Sequence, residues 1–486
     1  MADKTTQFFK GISIQTIVTL VMGVMEIALF AIMSRLLTKT DFGYYAAIGG
    51  VVSIVLSISE AGIGSSIIQK KDASKTFIST AFTWSIIIGL CASVLVFLLA
   101  PLLAETIADK TLVVPLRIMS ITILPHSIIS IGNGILYRKL AFKTIGIINI
   151  TSYFIASVIG VVMALSGMGL MSIVLHQVIH SLLCVTLLLF YANYPKLKIH
   201  IQETKEIVSF SGWLTLGVMF NNLTHQLDKL LLPKWMSVEA LGAYNRPAGF
   251  VSTISMKLNG IFDSVLFPML SDIQNDKDRV NNVFLMAVSL LNSFSIVLSA
   301  IFFFNAHLII SIFFGENWIN LVPVLQIVSI SVIFNINGRL VDCFFRSLAY
   351  VKLGFLLRVL SAVIMFGSIY IGSLNGVLGV ATAIVVANIV NILIKVSCLA
   401  IKTQTSIVDI VLSMITAWRP IVPILLVGIP FLIIDTHTWL INVCFAVLFG
   451  IIVIVEFCFF PKFIGQSYTQ KVYPLVEKVI NKIRKR

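Results

Sequence analysis

Charge is what this sequence has least of. Only 12% of its 486 residues are Asp, Glu, Lys or Arg, about half the share of a soluble domain. A water-soluble fold with an ionised surface is therefore excluded, and no polar stretch is long enough for a separate soluble domain. Motifs for covalent chemistry are missing too: there is no phosphate-cradling loop, metal-ligand cluster or nucleophile elbow. The six cysteines (Cys91, Cys184, Cys343, Cys398, Cys444 and Cys458) all fall inside apolar runs without metal spacing, which reads as packing. The N-terminal MADKTTQFFKG leads into an apolar segment that holds Glu26 and has no small-residue cleavage site. That segment is too long for a signal-peptide core and is expected to be a retained first span.

What the chain has instead is apolar length. It is 58% hydrophobic, with a mean hydropathy of +1.01, and runs of about 20 apolar residues recur, each enough to cross a bilayer. The expectation is an all-α polytopic membrane protein with about fourteen transmembrane helices, near 12–36, 42–69, 77–104, 113–136, 144–166, 169–192, 207–232, 240–267, 283–305, 319–345, 353–373, 377–400, 416–434 and 438–460. An even number puts both termini on one side. With the termini in the cytoplasm, the inside segments hold 24 Lys and Arg and the outside segments 4 (Arg35, Lys39, Lys110 and Lys234). The positive-inside rule then sets the orientation. Much of the net charge of +14 is thus topological and implies no nucleic acid.

The second half echoes the first. LLTKTDFGYY, ending at Tyr45, returns as WMSVEALGAY, ending at Tyr244, so Gly43 matches Gly242. RKLAFKTIG from Arg138 returns as RSLAYVKLG from Arg346, and the same offset pairs Pro115 with Pro323. Two six-helix lobes in parallel repeat follow, residues 1–200 and 201–405, with an extra helix pair over 406–462 and a basic amphipathic tail over 463–486. The tail carries Val472, Leu475, Val476, Val479, Ile480 and Ile483 on one face, as a helix lying on an anionic leaflet would. Pro420, Pro423 and Pro430 predict a kinked thirteenth span. Internal repeats of this kind are common in secondary transporters, with the substrate site between the repeats.

Ionisable residues inside a membrane normally mark a cavity or an ion path. The acids in the expected spans are Glu26, Glu60, Asp228, Asp263, Asp342 and Glu456; the bases are Arg117, Lys229, Arg246, Lys257, Arg339 and Arg358. Arg246 and Lys257 lie eleven residues apart and share a helix face. Arg339, Asp342 and Arg346 share another and can pair among themselves. The stretch Phe220–Tyr244 is polar for a span, with Asn221, Asn222, His225, Gln226, Asp228 and Lys229. The repeat offset sets His225 against Glu26. Asp228 with Lys229, and Arg339 with Asp342, read either as site groups or as neutralising pairs. His176 and His180 read as packing residues rather than metal ligands, and Glu456 has no repeat counterpart.

LLTKTDFGYY, ALGAY, RKLAFK, FPMLSDIQND from Phe267 and GENWINLVP from Gly315 together resemble the polysaccharide flippases. These are the Wzx-like, O-antigen-type transporters of the multidrug/oligosaccharidyl-lipid/polysaccharide superfamily. Within it the chain is most similar to the branch of colanic-acid and teichuronic-acid exporters. The resemblance implies movement of undecaprenyl-pyrophosphate-linked oligosaccharide from the inner to the outer leaflet of the bacterial cytoplasmic membrane. It also implies alternating access, a MATE-like two-lobe fold, and polymerases or glycosyltransferases as neighbours. Arg117, Arg246, Lys257, Arg339 and Arg358 are then expected to meet pyrophosphate, and Asn221, Asn222, His225 and Asn259 to meet sugar. With no nucleotide motif and no cofactor expected, the energy is assigned to an ion gradient. Glu26, Glu60, Asp228, Asp263 and Asp342 are the candidates for a proton or sodium ion. A drug/cation antiporter, a lipid II flippase and a non-transport scaffold for polysaccharide synthesis are the competing readings.

Overall fold

A backbone run through hydrocarbon has no water to bond, so each long apolar segment must satisfy its own amides, and a helix does this locally. Among the described residues every regular element is accordingly a helix. A computed structural model describes residues 2–459 apart from 61–62, 65–66, 68–73, 107–108, 193, 274–275, 349 and 434–438, together with Tyr473. The side chains of Glu60, Asn221, Lys257, Asn259 and Asp263 lie outside the described set, as does the expected amphipathic tail apart from Tyr473.

The chain forms two compact units, Met1–Asn245 and Arg246–Arg486. The first contains α1 (Ala2–Leu36), α2 (Lys39–Glu60), α3 (Lys75–Thr106), α4 (Val113–Ser120), α5 (Ile123–Arg138), α6 (Phe142–Leu165), α7 (Leu170–Tyr191), α8 (Ile201–Trp235) and the start of α9 (Val238–Asp272). The second continues α9 and adds α10 (Lys277–Phe304), α11 (Ala306–Phe313), α12 (Val322–Ser347), α13 (Val351–Ser373), α14 (Gly376–Thr403), α15 (Ile407–Ala417), α16 (Ile421–Ile433) and α17 (Trp439–Phe459). Ten helical segments of the described chain are long and apolar enough to span a membrane, eleven if α15 and α16 form one bent span. The count of fourteen is not reached on that criterion. Helices do occupy the other expected positions: α8, α9 and α17 are present.

Two breaks follow from proline. Pro125 removes an amide and crowds the carbonyl four residues earlier. That residue is Ile121, where the fourth expected span divides into α4 and α5. In the second copy the matching segment has no proline there, and α12 runs unbroken. Pro420 likewise separates α15 from α16, which bend by 51°, as the proline-rich thirteenth span predicted. At this break the Ser293 hydroxyl of α10 donates to the Ala417 carbonyl at 3.1 Å, supplying a partner to the interrupted ladder.

The repeated LLTKTDFGYY and WMSVEALGAY segments build matching helix starts. The Thr38 hydroxyl accepts from the Asp41 amide at 3.1 Å, and its counterpart Ser237 accepts from the Ala240 amide at 3.1 Å, both as N-caps. Thr38 adds the reciprocal half of a capping box: its own amide donates to Asp41 Oδ2 at 3.0 Å. The first turns of α2 and α9 then cross at their glycines. A Cβ on Gly43 would lie 1.9 Å from the Val238 carbonyl oxygen, and one on Gly242 1.9 Å from the Lys39 carbonyl oxygen. Val238 and Lys39 are themselves repeat partners, so the crossing is reciprocal. Only hydrogen fits at either position, as in close helix crossings within membranes.

Polar ties fasten the rest of the first unit. Asp41 Oδ1 accepts from the Leu170 amide at 3.0 Å, holding the start of α7. Asp109, between α3 and α4, accepts from the Thr111 amide at 2.8 Å and hydroxyl at 2.6 Å, and from the Tyr44 hydroxyl. These bonds, Thr111's hydroxyl first, hold the Asp109 carboxyl below the usual carboxylate range. At the opposite end the chain between α7 and α8 is strapped onto α3. Thr80 and Thr83 hydroxyls accept from the His200 and Lys198 amides at 3.2 and 3.0 Å, while Trp84 donates to the Thr204 hydroxyl at 3.0 Å. This strap, and the packing of α8 on α2, place residues 201–245 with the first unit although the repeat assigns them to the second copy.

In the second unit a core of Ile296, Val297, Ala300, Phe304, Ile333, Ile424, Phe445 and Phe449 joins α10, α12, α16 and α17. Beside it Asn292 and Asn337 exchange two amide hydrogen bonds at 3.0 Å each. Each also donates to the carbonyl one turn back, at 2.8 and 2.7 Å.

Candidate functional site

Most of the described ionisable residues of the membrane-spanning segments fall into three groups. The first lines α8. Its register on α2 is set where a Cβ on Gly50 would lie 3.2 Å from Lys229 Cβ. Asp228 is half-buried, and its Oδ1 accepts from the Lys229 amide at 2.9 Å. Asn222 is half-buried, His225 is exposed, and Gln226 Oε1 is buried without a hydrogen-bond partner among the described residues. Glu26 is half-buried on α1.

A second group lies in the second unit, on α12, α13 and α14. Asp342 receives Lys395 Nζ at 3.1 Å on both carboxylate oxygens. The side chains are 26% and 13% exposed respectively, so the pair is largely withdrawn from solvent. Arg346 sets its Nε 3.4 Å from the Asp342 carbonyl, one turn along as the spacing implied. Arg339, one turn the other way, is exposed. Arg358 on α13 is half-buried, and its Nε has no hydrogen-bond partner among the described residues. A buried guanidinium donor left open is suited to an anion that presents oxygen acceptors. Arg246 is half-buried at the start of this unit.

Arg117 behaves differently. Its guanidinium sits 5.0 Å over the Phe97 ring, and its Nε donates to the Phe97 carbonyl at 3.4 Å. Phe97 is itself exposed, which places this cation at the margin of the first unit.

The third group is imidazole. His176 and His180 lie one turn apart on α7 with rings stacked at 6.4 Å and 7°. Tyr153 of α6 meets both edge-on, at 5.5 Å. Among the described residues no three His, Cys, Asp or Glu are grouped to hold a metal ion.

Sequence reasoning assigned Lys395 to the cytoplasmic charge although it lies eight residues inside the end of α14. Applying to it the test for a lone base in an apolar run would have flagged it. Tyr153 carried no signal, because an aromatic on an apolar face looks like core.

The sequence model of a family described as "Polysaccharide biosynthesis protein" matches residues 32–323. Among curated relatives, the lipopolysaccharide biosynthesis protein WzxC of Escherichia coli (strain K12) is 24% identical over 81% of this chain and 80% of its own. The teichuronic acid biosynthesis protein TuaB of Bacillus subtilis (strain 168) is 27% identical over 81% of this chain and 82% of its own. A solved structure titled "Lipid II flippase MurJ, inward closed conformation" superposes with a TM-score of 0.70 at 14% identity, covering 91% of this chain and 98% of that one. That likeness establishes a common fold.

Proposed function

The chain belongs to the polysaccharide biosynthesis protein family, and from that premise we propose that it is a flippase for lipid-linked oligosaccharide in a bacterial cytoplasmic membrane. Its cargo is an undecaprenyl-pyrophosphate-linked repeat unit carried from the inner to the outer leaflet, with both termini cytoplasmic. The observation that carries this reading is the family match over residues 32–323 on a fold shared with a lipid II flippase.

The second-unit cations give the reading its chemistry. A pyrophosphate must exchange its hydration for fixed donors, and guanidinium groups supply paired N–H donors in a planar fork. Arg358, with an open buried Nε, and the exposed Arg339 are the members we assign to it. Arg246 and, on the eleven-residue spacing in the sequence, Lys257 extend the set. The Asp342–Lys395 pair screens neighbouring cations and fixes α12 against α14. Asn222 and His225 on α8, with Asn221 and Asn259, are assigned to sugar hydroxyls. The prenyl chain stays in lipid. Arg117, occupied by Phe97, is the outlying member. Transport is coupled to a proton or sodium gradient, which supplies about 2.3 kcal/mol per elementary charge per 100 mV.

Deleting the gene and analysing the lipid-linked intermediates tests the assignment. Undecaprenyl-linked repeat units should accumulate on the cytoplasmic leaflet while surface polymer falls. Accumulation of lipid II instead would favour the second reading, a lipid II flippase, which has the same fold. Normal polymer with changed dye resistance would reject both readings.

A further inference from the structure

The Asp342–Lys395 pair fixes the register of two helices, and that register aligns polar residues left unused by the assignments above. Short connections make α13 antiparallel to both its neighbours. A Cβ on Gly354 of α13 would lie 3.6 Å from Phe345 Cβ of α12, and one on Gly372 would lie 2.7 Å from the Gly379 carbonyl oxygen of α14. α12 and α14 therefore run parallel. The 53 residues that separate Asp342 from Lys395 also separate Gly338 from Asn391 and Asn335 from Asn388. Each set has the spacing i, i+3, i+7, which is one helix face. Two stripes thus stand side by side and in step.

Packing closes neither stripe. On α12, Asn335 and Arg339 are exposed and Asp342 is half-buried, while a Cβ on Gly338 would meet nothing within 4 Å. On α14, Asn388 and Asn391 are half-buried on the face opposite the exposed Val386, Val390 and Leu393. No hydrogen bond engages either carboxamide among the described residues, and Asn335 reaches only the Ser331 hydroxyl, at 3.4 Å. Amides at membrane depth are costly unless they are bonded. Asn337 shows what a packing amide does on the same helix. It faces the other way and is closed by Asn292 and by the Ile333 carbonyl.

The other end of the stripes is cationic. Arg358 lies 14 residues back along α13 from Gly372, and Lys395 lies 16 residues on along α14 from Gly379, so the two reach the same level within about 3 Å. Gly354, one turn before Arg358, faces α12, and the Arg358 Nε is buried with no hydrogen-bond partner among the described residues. The first copy lacks this arrangement. The 208-residue offset that joins Arg346 to Arg138 sets Ser127, Ser130, Ile131 and Gly134 against Asn335, Gly338, Arg339 and Asp342. Ser127 and Ile131 are fully buried, and a Cβ on Gly64 would lie 2.2 Å from Ser130 Oγ. That face is shut by packing, whereas its counterpart in the second copy is open.

We propose that Asn335, Asn388 and Asn391, arrayed about Gly338, form a saccharide-binding stripe in the second unit, beside the cations that hold phosphate. The inference rests on the flippase reading above and adds the polarity of its cargo. The phosphate end lies at Arg339 and Arg358, and the sugars extend from there toward the start of α12. A carboxamide offers two donors and an acceptor, which suits the neighbouring hydroxyls of a sugar ring. The stripe is separate from the sugar contacts assigned to α8, whose residues belong to the first unit.

The test titrates purified full-length protein in lipid nanodiscs with two probes. One is the lipid-linked saccharide fraction extracted from the deletion strain; the other is undecaprenyl pyrophosphate, which carries no sugar. Wild type should bind the saccharide-bearing lipid more tightly. Asn388→Ala/Asn391→Ala should weaken that lipid about tenfold, the loss of one to two net hydrogen bonds, and leave undecaprenyl pyrophosphate unchanged. Gly338→Leu, which the open space about Gly338 admits, should keep the wild-type melting temperature and weaken the saccharide-bearing lipid at least as much. Arg358→Gln should weaken both lipids alike. Equal affinity of wild type for the two lipids, or an unchanged affinity ratio in either stripe variant, would overturn the stripe and leave the flippase reading standing. Binding of neither lipid by wild type sinks the flippase reading and the stripe with it.

Discussion

The crossing of α2 and α9 makes a quantitative demand that one methyl group can test. In Gly43→Ala the new Cβ would stand 1.9 Å from the Val238 carbonyl oxygen, where real Cβ atoms keep at least 3.0 Å. The obstacle is backbone, so no rotamer change relieves it, and the helices must part by about 1 Å. Overpacking of this kind costs about 1–3 kcal/mol, and a rigid backbone contact belongs at the upper end. Gly242→Ala meets the Lys39 carbonyl oxygen at the same 1.9 Å and should be equally destabilising. Both contacts lie on one crossing, so the separation that admits the first methyl admits the second. The double variant should therefore lose about 3 kcal/mol rather than about 6, a coupling of the size seen between directly touching sites. Gly49→Ala is the control on the same helix: its Cβ would meet nothing within 4 Å, and helix propensity predicts a gain of up to about 1 kcal/mol. Denaturant unfolding in detergent measures all four. Additive losses in the double variant, or wild-type stability in either single one, would refute the reciprocal crossing.

Other variants probe the remaining polar contacts. Asn292→Leu strands the buried Asn337 amide and should lose about 1–3 kcal/mol in the same unfolding assay, whereas adding Asn337→Leu should recover part of it. Asp342→Asn leaves Lys395 uncompensated and should destabilise by less than the about 3–5 kcal/mol of a fully buried pair, since Asp342 is 26% exposed. Restoration by the exchange Asp342→Lys with Lys395→Asp, read as melting temperature, would confirm that the partner is the cause. Asp109 has a depressed carboxyl pKa, so its tie to Tyr44 and Thr111 is fully present at neutral pH. That contribution should vanish as pH falls below the ordinary carboxylate value of about 4; Asp109→Asn should flatten the acid limb of a stability–pH curve. Glu456 is 5% exposed, and neither carboxylate oxygen has a hydrogen-bond partner among the described residues. Ionised, it would be strongly penalised, so Glu456→Gln should unfold within about 0.5 kcal/mol of wild type.

Helical spans, their order and the duplicated helix starts were legible in the sequence because each is local. An apolar run declares its own helix, and Thr38-x-x-Asp41 with Gly43 declares a capped, close-packed start. The bend at Pro420 was legible for the same reason. The break at Ile121 carried an equally local signal in Pro125, overlooked because the fourth span was read by hydropathy alone. The apolar runs over 207–232 and 240–267 were legible in spite of their polar residues, and α8 and α9 are helices there. Long-range partners were not legible at all. Asp342 and Lys395 lie 53 residues apart, and Asn292 and Asn337 lie 45 apart; no periodicity links either pair. Compactness likewise follows contacts, so α8 joins the first unit while its repeat identity belongs to the second copy.

The two copies kept the same caps and glycines but diverged in their buried ionisable groups, and the physics of each feature explains the contrast. A backbone crossing excludes every side chain but hydrogen, so Gly43 and Gly242 are constrained alike whatever the protein carries. Ionisable groups are constrained by their ligands, and on the proposed reading the ligands oppose one another. Pyrophosphate requires fixed positive charge, while an exchangeable proton is expelled from the neighbourhood of such charge. Holding both in one layer would make each field cancel the other. In the first unit the cation Arg117 is held at the margin by Phe97. In the second unit Arg358 has a buried Nε without a hydrogen-bond partner among the described residues, while Asp342 and Lys395 neutralise each other. On the proposed reading, the duplicated frame lets the ionisable groups differ between the copies while the helix crossing they share stays the same.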